Sequence, residues 1–506
     1  MTVGKVSLVG AGPGDPGLIT VRGLAVLSQA EVVLYDALAH PALLEACRGA
    51  ELHDVGKRYG EESPSQHEIN RWLIELARSG RRVVRLKGGD PLLFARGAEE
   101  ALALVEAGIP FEIVPGISSP VATSAYAGIS LTHRDLSSSV TFITGSDRAG
   151  KEWSPQSWRK LATATDTICV LMGMRRIEQI TAAIIEGGRR ADTPAAVIHW
   201  GSRPKQRVVT GTLESIARDA RAARVTNPSV IVVGDVVRLR ETLRWYDNRP
   251  LFGKRVLLPR AAEQARASAE LIRERAAEPV VFPLIELGDP PDPERLEKAA
   301  RTLGTYAWVL FTSANGVDRL FRVLRELELD ARAFGAARVG VIGPRTAAAL
   351  ASYGIRADLV AEEFVGEGLA KDLIGRAGAG RVLIVRALEA RDALPDALRA
   401  AGFEVDVVAA YETRALPAER GAELSAAFER REIDVVLLTS SSIARSLLRL
   451  LGENPKQLLA SVTVASIGPI TSRTLEEHGV VPDVSAEVYT VSGLLDALER
   501  HFAGAR

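Results

Sequence analysis

Three glycine-rich stretches in the first quarter of the chain have the composition of loops that bring backbone close to a small molecule: Gly10-Ala-Gly-Pro-Gly-Asp-Pro-Gly17, Leu86-Lys-Gly-Gly-Asp-Pro91 and Val114-Pro-Gly-Ile-Ser-Ser-Pro120. Each follows a short apolar run and so reads as the loop that ends a strand. The first invites comparison with a dinucleotide-binding fingerprint, but Asp15 stands where the third glycine belongs. Pro13 and Pro16 also remove two N–H donors that a pyrophosphate cradle uses. Two readings stay open: a tight turn that needs positive φ, or a loop whose backbone passes close to a ligand. In the second half, the polar residues at inferred strand ends are Thr312, Ser313, Asn315, Thr346, Thr439, Ser440, Ser441 and Thr471. Hydroxyls and loop amides without strong acids or bases suit the holding of a polyanion better than the transfer of protons. Nothing resembles a metal site or a nucleophile triad.

The elements that position these residues alternate between apolar strands and helical stretches, the pattern of α/β units. In the front half the strands are Val6–Val9, Val32–Tyr35, Arg82–Leu86, Phe111–Val114 and Val140–Ile143, then Thr167–Met172, Ala195–Ile198 and Val230–Val233. The rear half is internally duplicated. Arg255-Val-Leu-Leu-Pro-Arg260 recurs 126 residues later as Arg381-Val-Leu-Ile-Val-Arg386, Trp308-Val-Leu-Phe-Thr-Ser313 recurs after 127 as Val435-Val-Leu-Leu-Thr-Ser440, and Ile342-Gly-Pro-Arg-Thr346 recurs after 125 as Ile467-Gly-Pro-Ile-Thr471. The tails also correspond, Ala357-Asp-Leu with Pro482-Asp-Val. Runs such as Val435-Val-Leu-Leu438 suit parallel strands buried on both faces. Parallel sheets bind ligands at the carboxyl ends of their strands, so the Thr-Ser and Gly-Pro-x-Thr loops of both copies are expected around one site.

The chain has 506 residues, with 63 basic and 63 acidic side chains, 47% hydrophobic and 25% charged residues. That length predicts three or four domains at about 150 residues each, and the composition excludes disorder and fibrous repeats. Balanced charge argues against a general nucleic-acid binder, whose footprint is basic. Two cysteines, Cys47 and Cys169, suit a reducing compartment. No apolar run reaches the roughly 18 residues of a membrane span, and the order of a signal peptide is missing from the first residues. A cytoplasmic protein without membrane or nucleic-acid partners is expected. The breakers in Arg244-Trp-Tyr-Asp-Asn-Arg-Pro-Leu-Phe-Gly253 mark a boundary. The expected division is a front domain at 1–247 (lobes 1–135 and 136–247), a linker at 248–253 and a rear domain at 254–506. In the rear domain, one lobe comprises 254–287 with 413–506 and the other 288–412.

The three loops above, taken in order with Leu131-Thr-His-Arg134, resemble uroporphyrinogen-III C-methyltransferase, a member of the tetrapyrrole methylases, over roughly 3–245. One departure is Phe94-Ala-Arg-Gly97, where that family usually has Phe-Gly-Arg-Gly. The resemblance implies a two-lobed fold that holds S-adenosyl-L-methionine in the cleft, with contacts at Pro13, Gly88, Gly89, Asp90, Leu93, Ser118, Ser119, Met172 and Gly201. It implies Asp36 as proton acceptor and Lys57 as proton donor, and a homodimer formed through this half. Asp36 reads equally as a helix cap, Lys57 with Arg58 as a solvated pair, and His133 as a loop histidine without a catalytic part. Arg85, Lys87, Arg96 and Arg134 are either surface charges or contacts to the carboxylates of the substrate.

The Ile467-Gly-Pro-Ile-Thr471 loop, the stretch Glu487-Val-Tyr-Thr-Val-Ser-Gly-Leu494 and the duplication resemble uroporphyrinogen-III synthase over about 253–500. Tyr411 would then assist departure of hydroxide, or merely cap a strand end. Thr346 and Thr471 would hold carboxylates together with Thr312, Ser313, Thr439 and Ser440, or serve as helix caps. The expected fold class is α/β: a two-lobed tetrapyrrole methylase fold followed by a two-lobed, internally duplicated parallel α/β synthase fold. The implied activity closes hydroxymethylbilane to uroporphyrinogen III and methylates it at C2 and C7 to precorrin-2. The alternative is methylation of a later precorrin beside a rear half that only binds tetrapyrrole.

Overall fold

Four sheets organise the chain in a computed structural model that describes residues 3–47, 49–56, 64–145, 154–260, 262–376, 380–390, 392–452 and 454–504. The first sheet is entirely parallel, with β1 (Lys5–Gly10), β2 (Val32–Tyr35), β3 (Glu51–Asp54), β4 (Arg82–Lys87) and β5 (Phe111–Val114) in the order β3-β2-β4-β1-β5. Its central strands β1 and β4 are covered on both faces, as a sheet sandwiched by helices requires. The helix Gln66–Arg78 starts on a complete capping box, in which Ser65 and Glu68 each bond the other's backbone, so two of its orphan donors are satisfied.

The second sheet takes β6 (Val140–Thr144), β7 (Thr167–Leu171), β8 (Pro194–His199), β9 (Arg207–Thr212) and β10 (Ser229–Val233) in the order β6-β7-β10-β8-β9. It is mixed: β6 and β7 run parallel, while β10 lies antiparallel to both β7 and β8, and β8 antiparallel to β9. The edge strand β9 escapes a reading by apolar runs because Arg207-Val-Val-Thr-Gly-Thr212 is only half covered along its length.

The third and fourth sheets interleave along the chain. After β11 (Arg255–Leu258) and β12 (Glu278–Val281), the chain builds β13 (Ile285–Gly288), β14 (Trp308–Phe311), β15 (Arg338–Val341), β16 (Leu359–Val360), β17 (Arg381–Ala387) and β18 (Glu404–Ala415). It then returns with β19 (Val435–Leu438), β20 (Thr463–Ser466) and β21 (Val484–Ser485). The orders are β12-β11-β19-β20-β21 and β13-β18-β17-β14-β15-β16, the latter parallel except for β13. The duplication is carried into detail. Asp358 accepts the Val339 N–H and Asp483 accepts the Val464 N–H, each at 2.7 Å. Ser313 and Ser440 cap the helices Ala314–Glu326 and Ser441–Leu450 by accepting from Gly316 and Ile443.

Two compact units result: Met1–Val256 with Ala269–Pro279 and Leu495–Arg506, and Leu257–Ser268 with Val280–Leu494. Among the described residues, no helix is long and apolar enough to cross a membrane.

Candidate functional site

The three glycine loops meet at the carboxyl ends of β1, β4 and β5. Gly12 and Gly89 exchange backbone hydrogen bonds (3.2 and 2.8 Å), and the Ala11 N–H reaches Lys87 O at 2.7 Å. Both of these glycines have positive φ, 74° and 70°, which a side chain would strain. At Gly10 and Gly116 the demand is for space. A Cβ at 10 would stand 2.5 Å from Gly116 Cα, and one at 116 would stand 2.3 Å from Gly89 O. Some of the glycines expected to admit a ligand therefore serve to let the loops approach one another, while Gly88 faces open space apart from Leu38 at 3.5 Å.

Asp90 ties the second loop to the third: one carboxylate oxygen accepts the Leu92 N–H (2.9 Å), the other the Gly116 N–H (3.1 Å). Ser118 precedes the helix Ser119–Tyr126 without making a side-chain capping bond, and Ser119 Oγ lies against Gly89, 3.3 Å from where a Cβ would be. Pro13 and Leu93 are half-buried beside them.

The second lobe meets the first loop and the helix Ser119–Tyr126 through the segment that follows β8. A Cβ on Gly201 would meet Thr123 Cβ at 2.4 Å. Asp15 accepts a hydrogen bond from Tyr126 Oη (2.7 Å) and donates its own N–H to Ser202 Oγ (3.2 Å), while Gln206 donates to Tyr126 O (3.2 Å). Burial first, then Asp15, pushes the Tyr126 phenol up. Five non-glycine residues with positive φ (Phe94, Arg96, Met172, Trp200 and Ser202) lie in the loops after β4, β7 and β8. Strain of this kind, which costs of order 1–3 kcal/mol per residue, clusters at functional sites. Thr123 Oγ1 and Ser124 Oγ are buried there without a hydrogen-bond partner. Asp15, Thr123, Tyr126 and Ser202 carry no local signal beyond Asp15 in its motif, so the sequence reading did not reach them.

Below the loops lies a buried charge cluster. Glu100 is fully buried and its Oε1 accepts from Lys87 Nζ (2.9 Å), Gln66 Nε2 (3.1 Å) and Arg85 Nε (3.2 Å). Arg85 also donates to Asp36, whose second oxygen accepts the Gly88 N–H at 3.3 Å. Burial works against the Arg85 charge, yet Asp36 and Glu100 outweigh it and hold its pKa above the usual arginine value. Burial and Arg85 together hold Lys87 below the usual lysine value.

This placement corrects two expectations. Arg85 and Lys87, at 3% and 2% exposure, are committed to internal partners and do not present their cations to a ligand. Asp36 does not cap the following short helix Pro41–Leu44; His40 does, by accepting the Ala42 N–H. Lys57 lies outside the described residues. Arg96 is exposed and grips Glu99 with two bonds (2.9 and 2.7 Å), and Arg134 is exposed. His133 accepts the Asp135 N–H at Nδ1, a loop role. Cys47 and Cys169 are buried free thiols, pushed by burial up to about 11 and about 12.

In the second unit, a cavity of about 390 Å³ opens at the ends of β14 and β17, lined by Thr312, Ser313, Ile342, Gly366, Arg386 and Tyr411 among others. Tyr411 reaches it because β18 shifts register against β17 between Arg386 and Ala387, a bulge of the kind that re-aims a side chain beside an active site. Its hydroxyl lies 3.0 Å from Ser313 Oγ. Glu367 and Glu389 also line the cavity; nothing local in the sequence announces them. In the other copy, Ser440 Oγ lies 3.0 Å from Ser442 Oγ, and Thr439 Oγ1 is buried without a hydrogen-bond partner. Thr346 and Thr471 are buried in the first turns of the helices Pro344–Ser352 and Pro469–Glu476, whose caps are Gly343 and Gly468, so neither threonine is the cap. Among the described residues, no group of three or more His, Cys, Asp or Glu side chains could hold a metal ion.

Two family models match the chain. The family model for tetrapyrrole (corrin/porphyrin) methylases matches residues 5–217, and that for uroporphyrinogen-III synthase HemD matches residues 266–496. A porphyrin biosynthesis protein HemD from Ruminiclostridium josui is 37% identical over 500 residues, 98% of each chain. A uroporphyrinogen-III C-methyltransferase from Bacillus subtilis is 45% identical over 247 residues, 49% of this chain and 96% of its own. A crystal structure of uroporphyrin-III-C-methyltransferase from Thermus thermophilus is 40% identical and covers 48% of this chain and 98% of that one, with a TM-score of 0.40. The chain belongs to the tetrapyrrole methylases in its front half and to the uroporphyrinogen-III synthases in its rear half, the two families joined in one polypeptide.

Proposed function

We propose that this protein makes uroporphyrinogen III and then methylates it twice. The rear half closes hydroxymethylbilane with inversion of ring D and loss of water. The front half transfers methyl groups to C2 and C7 to give precorrin-2, the precursor of sirohaem or cobalamin. The observation that carries the reading is the meeting of three glycine loops with one another and with the Gly201–Arg203 segment of the second front lobe, in a chain of this double family.

The residues present fit S-adenosyl-L-methionine. Asp90 keeps acceptor capacity beyond its two backbone bonds, Ser118 is not engaged as a cap, and Thr123 Oγ1 is a buried polar atom without a partner. Pro13, Gly88, Gly89, Leu93, Ser119, Met172 and Gly201 complete the proposed contacts. When bound, this cofactor supplies a methyl group on a positively charged sulfur. The protein has to align the acceptor carbon, a task of positioning, and to remove a pyrrole proton. Asp36 takes that proton: Arg85 and the Gly88 N–H fix its carboxylate next to the second glycine loop. Lys57 remains the proposed proton donor, and the exposed Arg96 and Arg134 the proposed contacts to substrate carboxylates. In the rear half, Tyr411 donates toward the departing hydroxide with Ser313 holding its phenol. Thr312, Thr439 and Ser440 at strand ends, with Thr346 and Thr471 in the first turns of the helices that follow, are the proposed contacts to substrate carboxylates. A cytoplasmic homodimer, divided at the 248–253 linker, belongs to the same proposal.

Purified protein given hydroxymethylbilane and the methyl donor should yield a product carrying two methyl groups more than uroporphyrinogen III. Without the donor, uroporphyrinogen III itself should accumulate. Formation of the type I isomer alone would refute the rear activity, and an unmethylated product in the presence of donor would refute the front one.

A further inference from the structure

Two aromatic rings in the second unit stand in solvent: Phe364 is 62% exposed and Tyr489 63%. They are 125 residues apart, the offset that also relates Gly343 to Gly468, Thr346 to Thr471 and Gly368 to Gly493. Each ring occupies the middle of the same three-residue turn, closed by Val365 N–H to Glu363 O in one copy and by Thr490 N–H to Val488 O in the other, both at 2.7 Å. Four residues after each ring comes a glycine that the bend requires. A Cβ at Gly368 would lie 2.3 Å from Glu363 O, and one at Gly493 would lie 2.4 Å from Val488 O.

Each ring also lies over the glycine of the Gly-Pro loop beyond β15 or β20. A Cβ at Gly343 would touch the Phe364 ring at 3.6 Å, and one at Gly468 would press on the Tyr489 ring at 3.0 Å. Both glycines are extended, with φ of −165° and 167°; at Gly468 a Cβ would crowd the ring, while at Gly343 it would make only ordinary contact with it. The duplication has thus preserved, in both copies, a turn whose result is an exposed ring at the carboxyl end of the sheet. In the copy that carries Tyr411, the cavity is lined by Ile342, which precedes Gly343, and by Gly366, two positions after Phe364.

Aromatic faces left in water are suited to stacking against small flat rings such as single pyrroles. We propose that Phe364 and Tyr489 are paired stacking platforms, one in each copy, that take pyrrole rings of the linear tetrapyrrole while the strand-end hydroxyls hold its carboxylates. The proposal rests on the cyclisation reading given above.

The test uses the full chain without methyl donor, so that only cyclisation is read. Phe364→Ser and Tyr489→Ser should each raise KM for hydroxymethylbilane about ten-fold, and the double variant about a hundred-fold, the loss expected for one and two aromatic contacts. Uniform loss of binding leaves kcat in place. Phe364→Tyr and Tyr489→Phe should restore wild-type KM, and melting midpoints should not move, because neither ring is core. An unchanged KM in the double variant would overturn the platforms, as would a fall in kcat together with the midpoint. If the unaltered protein did not cyclise at all, the reaction reading would fall instead. Titration of uroporphyrin III against wild-type and double-variant protein would then still judge the rings, equal affinities counting against them.

Discussion

Glu100→Ala should be a severe perturbation of the front half, and its size follows from the cluster it sits in. The wild-type carboxylate is wholly buried and shared by Lys87, Arg85 and Gln66. Its removal leaves Lys87, 2% exposed, with no anion in contact. Removing one partner of a buried pair costs about 3–5 kcal/mol, because the other charge is left without compensation. At about 2–4 °C per kcal/mol for a unit of this size, the midpoint of the front half should fall by roughly 6–20 °C. Scanning calorimetry of the full chain checks this. The deficit should narrow as pH rises from the lowered Lys87 pKa toward the ordinary lysine value of 10.5. Burial and Arg85 already hold the folded Lys87 pKa below 10.5, and losing Glu100 lowers it further. In that window the unfolded chain binds more protons than the folded one, so stability rises with pH. The double variant Glu100→Leu/Lys87→Met replaces both charges with apolar groups of similar size, removes the stranded cation, and should recover most of the midpoint. It leaves the Arg85–Asp36 pair intact, so methyl transfer should survive in it. A loss below about 1 kcal/mol in Glu100→Ala, or a double variant no better than the single, would refute the account of the cluster.

Asp36→Asn should lower methyl transfer by about 10²–10⁴-fold, the usual worth of a general base, while calorimetric binding of S-adenosylhomocysteine stays intact; an unchanged rate would remove Asp36 from the chemistry. Gly116→Ala drives a Cβ into Gly89 O at 2.3 Å, so it should abolish binding of that ligand by prising two loops apart, whereas Gly108→Ala, which meets nothing within 4 Å, should leave binding unaffected. At Glu112, burial pushes the carboxyl up, but hydrogen bonds from Arg22, Ser7 and Lys5 outweigh it and bring it to about 2. Its contribution to stability should therefore be complete above the ordinary value of 4.5 and disappear as pH falls through 2. Glu112→Gln should flatten the acid limb of the unfolding profile in that interval, and an identical slope would count against the three bonds.

What the sequence disclosed and what it hid divide along the range of the contacts involved. The glycine loops were legible because turn chemistry is local, and the rear duplication because repetition can be seen without knowing any contact; even the Asp358 and Asp483 tails are one device used twice. Arg85 and Lys87 were misread because their fate is decided by Glu100, 15 and 13 positions away, on the helix Gly97–Glu106. Past its exposed first residue, Arg82, the central strand β4 is covered on both faces, so a charge there is internal and only the fold names its partner. The same reasoning explains where the duplication stops being informative. Both copies keep the capping serine, the buried threonine and the exposed ring, which are properties of the turn. The partner of that serine differs: Ser313 meets the Tyr411 phenol, delivered by a bulge in β18, whereas Ser440 meets Ser442. The capping serine, the buried threonine and the exposed ring are thus present twice while the phenol is present once. Under the proposed function this is the arrangement a linear substrate of repeating rings would call for, since its two ends are joined but hydroxide leaves from only one of them.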